Sequence, residues 1–369
     1  MSPLLETARD LSAQFKSRAF EADQTGELPL ADVEALYQSD LLTAVLPKSY
    51  GGHEASLTEC TRLQLELAKG SGSTALAVAM TLHIMSHARE TQPWPKAIFQ
   101  ALCQEVAAGA LINSVASEPR LGSPSRGGLP DSYAERKGES FVVNGHKTWV
   151  TGGTHLKHLL VRVRLGDEAV TLWIPGDNPG LRWEKTWGDG LSLRASDSHD
   201  LYLENVAVSL DHIAEQGKGK ANVWFPILMA ATYLGIAFAA RDEAIQYALE
   251  RVPTALGKPI ATLPKIQRQI GEIDVALQAA EALLLKIAGE WQGNLADLEQ
   301  FLPKTAAAKH LATETALDVT DKAMRLVGAA GLDKSLGLER YFRDVRAGLM
   351  HPPSGDAALE IIGRAALGL

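Results

Sequence analysis

The stretch Ser140-Phe141-Val142-Val143-Asn144-Gly145-His146-Lys147-Thr148-Trp149-Val150-Thr151-Gly152-Gly153 decides how the chain is read. It is β-rich, and it lies in the middle of a sequence that otherwise runs in helical periods. Ser140 to Val143 and Trp149 to Thr151 carry strand-forming residues, and Asn144-Gly145 and Gly152-Gly153 are turn signals beside them. Leu159 to Val163, Ala169 to Ile174 and Asp200 to Leu203 repeat the pattern, with turns at Gly166-Asp167 and Asp177 to Gly180. Residues 111–216 are therefore expected to form a small all-β domain of sandwich or barrel type.

Outward from this segment the period changes. In residues 1–110 the apolar positions recur at helical spacing: Leu4, Leu5, Ala8, Leu11 and Phe15 form one stripe. Thr58 to Lys69, Ser73 to Arg89 and Pro95 to Ala107 continue it, with a loop at Pro47 to Gly52. On the other side, residues 217–369 return to long helices. Ile266, Ile270, Ile273, Leu277, Ala280, Leu284 and Ile287 step by three and four, and Ala316, Val319 and Ala323 belong to another long helix. The expectation is a mainly α protein with a central all-β domain, closed by an antiparallel four-helix bundle.

Composition narrows the function. A formal net charge of −8 over 369 residues argues against nucleic acid as main partner, since a phosphate backbone needs a dense cationic face. Cys60 and Cys103 have no metal-ligand spacing and read as free thiols in a reducing compartment. The apolar run Val223 to Ala240 is interrupted by Pro226, Thr232 and Gly235 and followed at once by Arg241, Asp242 and Glu243. A buried bundle helix is expected there rather than a membrane span, and cytoplasm is the expected location.

Several strings, in order and spread over nearly the whole chain, carry a resemblance. They are Ser117-Glu118-Pro119-Arg120-Leu121-Gly122-Ser123, the segment Asn144 to Gly153, and Arg194 to Asp200 followed by Leu203-Glu204-Asn205-Val206. Further on come Asp242-Glu243-Ala244, Tyr247 to Arg251, Gly328-Ala329-Ala330-Gly331 and Phe342-Arg343-Asp344. Together these resemble the acyl-CoA dehydrogenase family, with its N-terminal helical domain, β domain and C-terminal four-helix bundle. The resemblance implies an FAD cofactor, an acyl-thioester-like substrate, electron-transfer flavoprotein as acceptor and a homotetramer or dimer sharing its cofactors across the bundle. It implies Trp149 against the isoalloxazine ring, Thr151 near N5, Ser117 at the ring edge and Ser123 toward the phosphates or substrate. Arg251 would reach a neighbouring subunit's pyrophosphate, where a permanent guanidinium charge suits two phosphates. Gly328, Ala329, Gly331 and Ser354 complete the cofactor set that the resemblance suggests.

The sequence also departs from the family. Its usual base is a Glu at a fixed distance after Arg-Asp, and counting from Arg343-Asp344 puts that position at Pro352. Some members place the Glu near the start of the first bundle helix instead, which here falls on Phe225. Neither residue can take a proton. His83, His351 and Asp356 remain as candidate catalytic groups. The family's relatives among two-component flavin monooxygenases, such as dibenzothiophene monooxygenase, also lack the Glu and carry histidines at similar places. Three readings follow: an acyl-thioester dehydrogenase with an unusual base, a monooxygenase fed reduced flavin (FMN in that case) by a separate flavin reductase, and a non-catalytic flavin or acyl binder.

Overall fold

The computed structural model describes residues 3–121 and 128–369. Five helices come first: α1 (Pro3–Thr25), α2 (Leu30–Tyr37), α3 (Leu57–Gly70), α4 (Gly72–Thr91) and α5 (Lys96–Ala107). Ser56 caps α3 in a reciprocal box, its hydroxyl accepting from Glu59 N while Ser56 N donates to the Glu59 carboxylate. Helix α4 is buried along nearly its whole length, from Gly72 to Ala88. It is a central element, so the polar side chains along that stretch, Thr74, Thr81, His83 and Ser86 among them, face the interior.

Among the described residues eight strands follow: β1 (Leu111–Val115), β2 (Tyr133–Lys137), β3 (Ser140–Val150), β4 (Leu156–Leu165), β5 (Glu168–Pro175), β6 (Leu181–Glu184), β7 (His199–Ser209) and β8 (Ile213–Gln216). They form one continuous mixed sheet in the order β6-β7-β3-β2-β4-β5-β8, with β1 parallel beside β4. Gly166-Asp167 is the tight turn between β4 and β5, as its composition suggests. Asn144-Gly145 is not a turn. The strand runs straight through it with a register shift, and an added Cβ on Gly145 would lie 2.1 Å from the Ser132 hydroxyl oxygen. The glycine serves a close approach between β3 and the segment before β2, while Asn144 Oδ1 accepts from Asn205 N at 2.9 Å.

The chain ends in α6 (Trp224–Glu250), α7 (Pro264–Glu290), α8 (Leu298–Val327), α9 (Leu338–Asp344) and α10 (Gly355–Leu367). Pro226 falls in the first turn of α6, where its missing N–H costs nothing, so the helix runs on uninterrupted. Among the described residues α6 is the one helix long and apolar enough to cross a membrane, yet 89% of its apolar window is buried inside the protein. Gly235 allows α3 to lie against it: a Cβ there would sit 2.5 Å from the Leu65 carbonyl oxygen. On α8 the buried face runs through Thr305, Ala308, Lys309, Ala312, Thr313, Ala316 and Val319, placing a lysine among the core positions.

Candidate functional site

Helix α4, strand β1 and the end of β3 are joined by polar contacts that fix one corner of the molecule. Thr81 Oγ1 accepts from Ile112 N at 3.0 Å and lies 3.1 Å from Ile112 O. Next along β1, Asn113 Nδ2 donates to Thr151 O at 2.9 Å. Thr151 Oγ1 lies 2.9 Å from Ser198 Oγ, which in turn lies 2.8 Å from Ser196 Oγ. The segment after β1 is tied to β3 by Thr148 N donating to Ser117 O at 3.1 Å. Beneath it Glu118 and Lys147 form a buried ion pair of 2.6 Å. Burial raises the Glu118 pKa, but the Lys147 contact outweighs it and holds the carboxyl below its ordinary value.

Trp149 stands out from this corner. Between Lys147 and Val150 the register of β3 on β7 shifts, and Trp149 occupies the bulge with φ +58°, a conformation costly for a bulky residue. Its side chain is 57% exposed. The neighbouring Thr148 hydroxyl is buried and has no hydrogen-bond partner. Ser117, Trp149 and Thr151 are thus brought together around the bulge.

The second group is assembled by the bundle. His83 on α4 and His351, just before Pro352, stand on either side of Phe225, each ring edge-on to the phenyl at centroid distances of 5.0 and 6.0 Å. Phe225 and Pro352, the two positions at which counting along the sequence leads one to expect a base, are therefore neighbours in space. Asn222 Nδ2 lies 3.0 Å from His83 Nδ1, and the Tyr233 hydroxyl lies 2.5 Å from His351 Nδ1. No carboxylate among the described residues forms an ion pair or hydrogen bond with either imidazole; the histidines that do so are His146, His155, His158 and His199. Burial, reinforced by His87, pushes the His83 pKa down to about 3. Burial and the Lys309 ammonium push that of His351 down to about 4. Both rings are neutral at physiological pH.

The remaining sequence-predicted residues lie elsewhere. Asp356 is exposed in the first turn of α10, and Ser354 is half-buried at that helix's N-cap position without capping it. Gly328, at φ +75°, and exposed Ala329 begin the 3-10 turn after α8, and Gly331 is buried within it. Arg251 is exposed at the far end of α6, about 39 Å along the helix from Phe225. Ser123 lies outside the described residues. Sequence reasoning missed Asn222, Tyr233, Lys309 and the Thr148 hydroxyl. A lysine on the apolar face of α8 and a tyrosine inside the apolar run of α6 were signals that could have found two of them.

A helical domain, a central sheet with a bulged strand and a closing helical bundle define an acyl-CoA dehydrogenase-like fold. Models of this family's N-terminal, middle and C-terminal domains match residues 3–92, 114–206 and 227–353. The chain is 37% identical over 361 residues to the putative acyl-CoA dehydrogenase YdbM of Bacillus subtilis, covering 96% of this chain and 94% of that protein. It is 28% identical over 352 residues to the 3-(aryl)acrylate reductase of Clostridium sporogenes, covering 92% and 91%. Butyryl-CoA dehydrogenase of Megasphaera elsdenii superposes with a TM-score of 0.86 at 21% identity, over 100% of this chain and 99% of that one. TdsC of Paenibacillus sp. A11-2, solved with FMN and indole, superposes with a TM-score of 0.88 at 22% identity, over 99% and 97%. The chain belongs to the acyl-CoA dehydrogenase family, a family of flavoproteins.

Proposed function

We propose that this chain is a flavin-dependent oxygenase: it receives reduced flavin, FMN in this reading, from a separate reductase and transfers one oxygen atom of O2 to a small apolar substrate. The observation that carries the reading is the pair His83 and His351 around Phe225, with no carboxylate at either ring. Removal of an α-proton needs a group that holds the proton once taken. Imidazoles whose protonated forms persist only below about 3 and about 4 are poor acceptors of it. What they keep at neutral pH is the ability to donate one N–H each.

An isoalloxazine is flat, apolar on its faces and polar along its rim. The exposed indole of Trp149 and the buried, unpartnered hydroxyl of Thr148 suit such a ring, so the residues present fit the group. In this reading Trp149 lies against the ring, with Thr151 and Ser117 at its edge. Arg251, Gly328, Ala329, Gly331 and Ser354 are assigned to a cofactor shared with another copy of the chain in a homo-oligomer. Bound reduced flavin supplies the two electrons that, with two protons, carry the second oxygen atom of O2 away as water. His83 and His351 orient the reacting oxygen or the substrate, and Phe225 keeps water from the space between them.

A second reading, oxidation of the CH–CH bond of an acyl thioester with FAD and electron-transfer flavoprotein, is favoured by the name of the 37% identical relative. It needs a base that the residues around Phe225 do not offer. The test supplies the protein with FMN, NADH, a flavin reductase and isotopically heavy O2, over a panel of aryl thioethers and indoles. The oxygenase reading expects one heavy oxygen atom per product molecule. Product without the label overturns it, as does a panel that yields none while acyl-CoAs reduce the bound flavin.

A further inference from the structure

Behind each imidazole stands a group whose own hydrogen bonds leave only one role open to it. Asn222 precedes α6, and its Oδ1 accepts from Phe225 N at 3.1 Å. A backbone N–H can only donate, so that contact identifies the amide oxygen and turns the NH2 group toward α4. There it donates to His83 Nδ1 at 3.0 Å and more loosely to His83 O at 3.4 Å. The Nδ1 of His83 is thereby an acceptor, and in a neutral ring the proton must sit on Nε2.

Tyr233 imposes the same choice on His351. The phenol is buried, and burial raises its pKa well above the ordinary value, so it keeps its proton. Among the described residues His351 Nδ1 is the one hydrogen-bond partner of that hydroxyl, at 2.5 Å. A proton on Nδ1 would leave the phenolic hydrogen without an acceptor in the interior, which is costly. The pair is held rigidly from behind. Lys309 Nζ, itself buried, donates to Gly348 O at 2.5 Å and anchors the 3-10 turn Val345–Leu349 that leads into His351. Gly348 lies flat on Tyr233: a Cβ there would be 2.9 Å from the ring's Cδ2 and 2.9 Å from Thr313 Cγ2. Neither Nε2 has a partner among the described residues.

We propose that Asn222 and Tyr233 are positioning residues that hold His83 and His351 as Nε2–H tautomers, converting the place of the family's base into a pair of hydrogen-bond donors for a neutral or anionic oxygen, a carbonyl or an oxyanion. The assignment of the donors to a reacting oxygen rests on the oxygenase reading; the tautomers themselves do not. A positioned N–H acts without reorganising when charge develops on the oxygen it faces. Asn222 and Tyr233 need touch neither substrate nor cofactor to matter.

Nitrogen spectra of the full chain, labelled with heavy nitrogen in histidine and recorded in the solid state near pH 7.5, test this directly. His83→Gln and His351→Gln variants assign the two rings. Both are expected as neutral imidazoles with a protonated Nε2 and a bare Nδ1. Tyr233→Phe is expected to move the His351 signals toward the Nδ1–H form and leave those of His83 in place; Asn222→Asp, which puts an acceptor beside Nδ1, does the converse. An Nδ1–H signal for either ring in the unaltered protein overturns the proposal even if the variants fail to fold, and so does a His351 signal indifferent to Tyr233→Phe. If the tautomers are as stated but the unaltered protein makes no labelled product, the oxygenase reading fails and the tautomer assignment stands; labelled product at the full rate from His351→Gln overturns the donor role of its N–H.

Discussion

Trp149 shows how a single residue can be held in place against its own preference. A bulky side chain at φ +58° carries strain of about 1–3 kcal/mol, and the indole is not repaid by burial, being 57% exposed. Trp149→Gly is accordingly expected to leave the thermal midpoint unchanged or raise it. Flavin affinity, measured by fluorescence titration, should fall about tenfold or more, since losing one aromatic contact of about 1.4 kcal/mol is a factor of ten. A variant that loses stability and keeps its affinity would contradict the role proposed for the indole. Glu118 behaves in the opposite way. Glu118→Gln leaves Lys147 charged and unpaired at zero exposure, with an expected loss of about 3–5 kcal/mol in denaturant unfolding and little direct effect on chemistry. At this scale the sequence was legible where local strings carried the information: Ser117, Trp149 and Thr151 do gather around one bulge. It was silent on Asn222 and Tyr233, whose partners stand 139 and 118 residues away in the chain.

Among the elements, helix α6 carries the most consequence. Its N-terminal turn supplies Phe225, its middle supplies Tyr233, and Gly235 sets its distance from α3. Alanine is about 1 kcal/mol better than glycine in a helix interior, so propensity alone would make Gly235→Ala stabilising. The new methyl would stand 2.5 Å from a backbone oxygen and 2.7 Å from Ala68 Cβ, neither of which can swing aside. The clash wins, and urea unfolding should show a net loss of about 1–3 kcal/mol; a gain would mean that α3 can shift freely. The helices were readable because their apolar periods are long. Strand β3 was read as two short strands around an Asn-Gly turn, because that dipeptide marks turns far more often than a close approach to a neighbouring side chain. The face of α8 that carries Lys309 was hidden by its small residues, alanine and threonine, which show little apolar period of their own.

For the molecule as a whole, the two buried imidazoles couple folding to pH. Their folded pKa values lie below the ordinary 6.5, so the unfolded chain binds protons first as the pH drops. The stability they contribute is complete above about pH 6.5 and is lost as pH falls toward about 4 for His351 and about 3 for His83. Between pH 6.5 and 5 each costs up to about 2 kcal/mol, and a His83→Gln, His351→Gln double variant should show a visibly flatter dependence of thermal midpoint on pH. The exposed Arg251 belongs to the same scale. If it serves a cofactor held by another copy, Arg251→Glu should weaken flavin retention without changing the stability of the flavin-free protein, and flavin binding should rise with protein concentration. The central proposal, however, is that this member of the acyl-CoA dehydrogenase family carries hydrogen-bond donors at the place where its sequence leads one to expect a base. Anaerobic titration of the flavin-loaded protein with acyl-CoAs of graded chain length tests it most directly. The account predicts that the oxidised flavin spectrum persists throughout, and stoichiometric bleaching by any member of the series would contradict it.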